Sequence, residues 1–219
     1  FDSDTDSTNP KKDTYEHRAT QGGDRQLLYL ASFCAGLIVV FAFMQSMFVA
    51  SLIILWLAII YTYNVPPFRL KAIPVLDMIF AFNFPLWGVI GYATVTGSVP
   101  ETLVYLPITF FAAAAHLYTA IHDREHDAST GVRTSAVWVG SLQRNVHICI
   151  LCMFPGILFA VYLGMYLVAV VVCMYPLFFA LHLYSERLQC DLLFAYKGFI
   201  WLHYIVGFLI SIALLLSLP

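Results

Sequence analysis

Residues 26–68 read QLLYLASFCAGLIVVFAFMQSMFVASLIILWLAIIYTYNVPPF, with no Asp, Glu, Lys or Arg among them. A helix crossing a membrane needs about 20 predominantly apolar residues, so this run is long enough for two crossings. Further charge-free runs cover 78–100, 102–122, 145–185 and 198–219, and the third of these also accommodates two helices. Read together, the runs predict seven spans, at about 27–44, 46–63, 75–95, 102–121, 146–163, 166–184 and 198–217. The predicted fold class is all-α, a multi-pass transmembrane helical bundle, and residues 1–219 read as one membrane domain.

Composition agrees. Apolar residues make up 61% of the chain, charged ones 11%, and the mean hydropathy is +0.81. Soluble domains are closer to half apolar and about a quarter charged. The polar segment 1–26 has no apolar core of the kind a signal peptide carries. Net charge is −2, which does not suggest a nucleic-acid partner; the lipid bilayer is the expected surrounding.

The placement of charge is more telling. If the chain crosses at each span, segments 1–26, 64–74, 122–145 and 185–197 share one side. They hold Lys11, Lys12, Arg18, Arg25, Arg69, Lys71, Arg124, Arg133, Arg144, Arg187 and Lys197, which are all 11 Lys and Arg residues. Glu101 alone among charged residues is left on the other side. Cytoplasmic loops carry such an excess of Lys and Arg, so the charged side is expected to be cytoplasmic. Cys149 and Cys152 form a Cys-x-x-Cys pair on an apolar helix and read as packing residues.

Carboxylates at a membrane's edge are costly and are functional candidates. Asp123 and Asp127 stand four residues apart directly after a charge-free span, so on a helix they share one face. Asp2 and Asp6 repeat that spacing on the same side. Two such faces brought together form an oxygen-rich site suited to Mg²⁺, which prefers one or two carboxylates plus substrate phosphates. Between them, Pro66 and Pro67 make a stiff turn holding Arg69 and Lys71 near the membrane edge, where they suit phosphate oxygens. Asp77, just inside the next span, reads equally as a site residue or as a structural partner of Arg69 or Lys71. Gly131 permits a helix stop after Asp127. Arg133 reads either as a phosphate contact or as a counter-charge to the carboxylates.

His122 and His126 give His-Asp-Arg-Glu-His, similar in outline to the His-Glu-x-x-His zinc motif. Asp123 occupies the place of the Glu, and no further ligand pattern follows. The other histidines, His17, His116, His147, His182 and His203, are scattered singly and read as satisfied structural residues. Tyr61, Tyr63, Phe68 and Tyr118 are candidate aromatic walls for a cationic intermediate.

At these residues the chain resembles the UbiA superfamily of intramembrane prenyltransferases. Asp2 and Asp6 match the last two acids of its Asn-Asp-x-x-Asp-x-x-x-Asp motif. Pro66-Pro67-x-Arg69-Leu70-Lys71 is similar to its intermediate loop, and Asp123-x-x-x-Asp127-x-x-x-Gly131-x-Arg133-Thr134 to its second motif. The resemblance implies nine helices, so the chain, which begins at Phe1, reads as truncated by about two N-terminal helices. It also implies that Asp2, Asp6, Asp123 and Asp127 hold Mg²⁺ around a prenyl diphosphate, with Arg69, Lys71, Lys12, Arg133 and Tyr118 binding substrate. Asn9-Pro10-Lys11-Lys12 and His116-Leu117-Tyr118-Thr119-Ala120-Ile121 look like the lycopene elongase branch, which adds five-carbon units to lycopene on the way to fifty-carbon carotenoids. A quinone, chlorophyll or ether-lipid prenyltransferase is the nearest alternative, and a transporter the alternative of another class. Transporters place charge near the midplane, whereas these charges gather at one rim. After carbon–carbon bond formation by this route the new cation loses a proton or captures water, and no residue in the sequence identifies itself as the base for the former.

Overall fold

The computed structural model describes residues 23–186 and 192–217, and every regular element among them is helical. The first apolar run is divided into α1 (Gly23–Gln45) and α2 (Met47–Asn64) by Ser46. Its backbone is extended, and its hydroxyl oxygen accepts from the Val49 amide at 3.1 Å. A serine so placed satisfies one of the orphan N–H groups of the new helix, which lets two helices arise from a run with no polar loop.

A 3-10 turn (Leu70–Ala72), α3 (Leu76–Ile79), a second 3-10 turn (Phe80–Phe82) and α4 (Asn83–Thr96) follow. Then come α5 (Thr102–Ser129), α6 (Ser135–Val139), α7 (Leu142–Tyr162), α8 (Tyr166–Val172), α9 (Met174–Glu186) and α10 (Leu192–Ser217). Six stretches among the described residues are long and apolar enough to cross a membrane: Gln26–Gln45, Met47–Asn64, Leu76–Thr96, Leu142–Tyr162, Tyr166–Tyr184 and Leu192–Ala213. They match six of the seven expected spans. The remaining one, expected at 102–121, forms the front of α5 and is not among the six. Within α5, Ala112, Ala114, Leu117, Tyr118, Ala120 and Ile121 are buried.

The most extensive helix pairing is α5 with α7. Around it lies the main core, including Leu117, Tyr118, Val146, Met153, Phe179 and Phe199. A smaller cluster of Ala42, Val49, Ala50, Ile53 and Ile90 joins α1, α2 and α4. The outer surface remains apolar, with Phe33, Met44, Val95, Tyr162, Trp201 and Leu216 all exposed, as befits a molecule whose outer solvent is lipid. Within lipid, helices associate through close packing rather than hydrophobic burial, and small residues permit the closest approach.

Gly156 of α7 is such a residue. A Cβ added there would lie 3.1 Å from the Pro107 carbonyl oxygen, which is backbone. Gly156→Val is therefore expected to push α5 and α7 apart and destabilise the bundle by about 1–3 kcal/mol, with Gly156→Ala costing less. Thermal unfolding in detergent reads this, and a Val variant melting at the wild-type temperature would refute the close contact.

Candidate functional site

Asp123 and Asp127 lie one turn apart near the end of α5 and are both half-buried. The helix stops just beyond them. Gly131 takes φ +78, its amide donates to the Ala128 carbonyl at 3.4 Å, and the Val132 amide donates to the Asp127 carbonyl at 2.9 Å. That pair of bonds is the Schellman stop, in which a left-handed glycine satisfies the final carbonyls. The expected role of Gly131 is therefore realised, and the chain turns back over the acidic face.

The returning residues grip two carboxylates in succession. Thr134 caps α6, accepting from the Val137 amide at 3.4 Å, and its hydroxyl donates to Asp127 Oδ2 at 3.4 Å. Ser135, the next residue, donates its amide to Asp77 Oδ2 at 2.8 Å and its hydroxyl to Asp77 Oδ1. Asp77 Oδ1 also accepts from the Met78 amide at 2.9 Å, and the Ser135 hydroxyl oxygen accepts from the Val75 amide at 2.7 Å. Asp77 is fully buried. A carboxylate can be buried only where donors replace its water, and Ser135 and Met78 supply three.

Asp77 also reaches α5. His116 Nε2 lies 3.8 Å from Asp77 Oδ2, and the Tyr63 hydroxyl at the end of α2 lies 3.4 Å from the same nitrogen. Farther along, Arg124 Nη1 donates to the Gly140 carbonyl at 2.8 Å, and Asn145 Nδ2 donates to the Ala136 carbonyl at 3.0 Å. The short helix α6 is thus held by α3, α5 and α7 together. The ends of α2, α3, α5, α6 and α7 meet at one end of the bundle.

The basic loop enters at that end. Arg69 adopts a left-handed conformation (φ 39) ahead of the 3-10 turn that carries Lys71. Val75 has φ 71, which is costly for a β-branched residue; its amide is the one held by Ser135. Arg69 and Lys71 are half-buried, while Arg133 is exposed on the turn between Asp127 and Thr134. Asp2, Asp6 and Lys12 lie outside the described residues.

Tyr118 occupies a different environment from the rim. It is fully buried, shares a 2.7 Å hydrogen bond with His182 Nδ1, and packs against Phe179 and Phe199 with ring centroids 4.7 and 4.4 Å away. Of the other aromatic candidates, Tyr61 and Phe68 are exposed, and only Tyr63 turns inward. The single histidines are each hydrogen-bonded: His147 Nδ1 to the Gln143 carbonyl, His203 Nδ1 to that of Phe199, His182 to Tyr118 and His116 to Tyr63. His17 is outside the described residues.

The sequence leaves Asp77 equally a site residue or a partner of Arg69 or Lys71, and it does not signal the contacts to Ser135 and His116. The available signal was the Thr134-Ser135 pair at a helix start, where side-chain and backbone donors gather.

Two carboxylates one turn apart, one steadied by Thr134, suit a hard divalent cation, since oxygen is the only donor they offer. Among the described residues no group of three or more His, Cys, Asp and Glu side chains gathers for a metal. Asp123 and Asp127 therefore fit Mg²⁺ as two ligands of a set that substrate phosphates and further residues would complete.

Fold and site define an integral membrane protein of helical-bundle class, with an acidic helix end and a basic loop gathered at one end. The chain matches the UbiA prenyltransferase family over residues 1–203 and belongs to that family. It is similar to the lycopene elongase/hydratase of Haloarcula japonica, 31% identical over 152 residues that cover 69% of this chain and 51% of that protein. The lycopene elongase/hydratase of Haloferax volcanii is 36% identical over 144 residues, 64% of this chain and 46% of that protein. That of Halobacterium salinarum is 31% identical over 144 residues, 64% and 50% of the two chains. The chain thus spans about half the length of these curated relatives. No solved structure gives a significant match. The family expected from the three motifs is the one that matches.

Proposed function

We propose that the full-length protein is a Mg²⁺-dependent membrane prenyltransferase that transfers a five-carbon allylic group from dimethylallyl diphosphate to lycopene, with its site on the cytoplasmic face. The observation that carries this reading is the linkage at one end of the bundle. Adjacent residues Thr134 and Ser135 hold Asp127 and Asp77, and so tie the acidic end of α5 to the segment that follows Arg69 and Lys71. The similarity to three lycopene elongase/hydratases favours lycopene over a quinone, chlorophyll or ether-lipid acceptor. Charges gathered at the rim favour an enzyme over a transporter, whose charges sit near the midplane. The collection of all Lys and Arg on one side supports the cytoplasmic placement.

Asp123 and Asp127 would hold Mg²⁺, with Asp2 and Asp6 as the partner acids. When bound, the ion neutralises charge on the diphosphate as it departs. Arg69 offers a planar fork to phosphate oxygens and Lys71 a point charge; Arg133 and Lys12 add charge to the same group. The carbon–oxygen bond of the allylic diphosphate breaks, and its electron pair leaves with the diphosphate. An acceptor double bond then supplies the pair for the new carbon–carbon bond. The apolar helices keep water from the cation, and Tyr118, buried behind the site, supports the wall from within the core.

Membranes holding the full-length protein, supplied with lycopene, dimethylallyl diphosphate and Mg²⁺, are expected to yield carotenoids heavier by five-carbon increments, read by mass spectrometry. Prenylation of a phenolic acceptor with no change in carotenoid mass would overturn the lycopene assignment.

A further inference from the structure

The reaction proposed above creates a cation on the acceptor, and a proton must leave before the product is neutral. Sequence alone singled out no base to take it. The structure places one histidine where the task needs doing.

Beneath the acidic rim lies a cavity of about 410 Å³ whose walls include Phe84, Ile108, Phe111, His116, Thr119 and His203. It shares Ile108, Phe111 and His203 with a second cavity of about 410 Å³ that continues between α5, α7, α8 and α10. Along α5 the two cavities run from Thr119 to Pro107, roughly 18 Å at the helical rise per residue. The lining is predominantly apolar and extends along α5, which suits the end of an extended polyene. His116 sits on the wall of the cavity nearer the rim, seven residues and roughly 10 Å along α5 from Asp123. A diphosphate and a short allylic chain would bridge that interval.

His203 also lines both cavities. It lies deep on α10, and its Nδ1 bonds only the carbonyl of Phe199 among the described contacts, at 3.0 Å. His116 differs because a carboxylate stands behind it. Its Nε2 faces Asp77 Oδ2 at 3.8 Å and the Tyr63 hydroxyl at 3.4 Å. Ser135 and the Met78 amide fix Asp77 in turn. At 3.8 Å the buried carboxylate is not hydrogen-bonded to the imidazole, but its charge stabilises the imidazolium once a ring nitrogen is protonated. With Nε2 facing Asp77 and Tyr63, Nδ1 is the nitrogen left to accept a proton on a residue that lines the cavity.

We propose that His116 is the base that ends the reaction, with Asp77 as the positioning residue behind it; this rests on the prenyl-transfer reading above. The carbon–hydrogen bond next to the acceptor cation breaks, and its electron pair forms the new double bond. Nδ1 of His116 takes the proton, and Asp77 balances the resulting charge. The proton then passes from His116 to solvent or the departing diphosphate. The new double bond replaces the one the acceptor spent in the attack, so the net exchange is one carbon–oxygen and one carbon–hydrogen bond for one carbon–carbon bond, with diphosphate and a proton released.

The test uses membranes holding the full-length protein with dimethylallyl diphosphate, lycopene and Mg²⁺, following released diphosphate, deprotonated carotenoid and hydrated carotenoid separately. His116→Ala is expected to lower the deprotonated carotenoid product about 100-fold or more, the range of general base catalysis. Diphosphate release should fall far less, the difference appearing as hydrated alkylated carotenoid formed when water captures the acceptor cation, and added imidazole should restore part of the deprotonated product. Asp77→Asn should lower kcat with KM for the diphosphate unchanged. Normal yield of the deprotonated carotenoid from His116→Ala would overturn the proposal. So would an equal fall in diphosphate and deprotonated carotenoid with no rescue by imidazole, since that is the behaviour of a merely structural histidine. A wild-type protein that releases no diphosphate would overturn the prenyl-transfer reading itself and this proposal with it.

Discussion

Asp127→Ala is expected to abolish prenyl transfer, and Asp123→Ala to do the same, with the protein still inserted in the membrane at wild-type levels. Both carboxylates stand at the end of α5, half-buried and one turn apart, where losing either removes an oxygen ligand and a negative charge from the expected cation site. Stabilisation of a departing diphosphate by a bound cation is worth several kcal/mol. At about 1.4 kcal/mol per tenfold, its loss slows turnover by roughly a thousandfold or more. Among the described contacts, the Asp127 bond to Thr134 is long, at 3.4 Å, and a neutral donor's bond contributes about 0.5–1.5 kcal/mol. Asp127→Asn makes the sharper case. It keeps the shape and an acceptor for Thr134 but loses the charge, and it is expected to be as inactive as Asp127→Ala. Diphosphate release from membranes reads the activity, and the amount of protein in the membrane fraction reads the fold. An Asn variant that turns over at the wild-type rate would end the case for a metal at this helix end.

Those two carboxylates were legible in the sequence because their information is local. Four-residue spacing fixes a shared helix face, a glycine four residues on fixes the stop, and a charge-free run before them fixes the membrane edge. The Schellman turn at Gly131 follows from the same short-range rules. The spans were legible for a similar reason, since lipid demands long apolar runs, and six of the seven expected are found as such. The connection from Asp77 to Ser135 was not legible. It joins residues separated by 58 positions, and nothing local distinguishes a carboxylate facing a loop cation from one facing a helix start. Tyr118 posed a related difficulty. Helical periodicity gives a side chain's face but not which neighbour fills it, and only the packed bundle turns the hydroxyl toward His182.

The buried carboxylate also sets the largest expected effect on stability. In wild-type protein, Asp77 accepts from the Ser135 amide, the Ser135 hydroxyl and the Met78 amide, with no exposure to solvent. Asp77→Ala leaves these donors facing an apolar methyl group. Each buried donor left unsatisfied costs about 1–3 kcal/mol. Ser135 can turn its hydroxyl elsewhere, but its amide at the start of α6 cannot turn, so a net loss of about 2–5 kcal/mol is expected. The Val75 turn should loosen too, because its positive φ is held by the amide bond to the Ser135 hydroxyl. Ser135→Ala removes that hold and one donor to Asp77 while keeping the Ser135 amide bond, and should cost less than Asp77→Ala. Thermal unfolding in detergent should therefore rank wild type above Ser135→Ala, and Ser135→Ala above Asp77→Ala. Because Ser135 and Asp77 touch, the double variant should lose less than the two single losses added together. Losses that simply add would mean that the two residues act independently, and that the contact joining the basic loop to the acidic helix end contributes nothing to the fold.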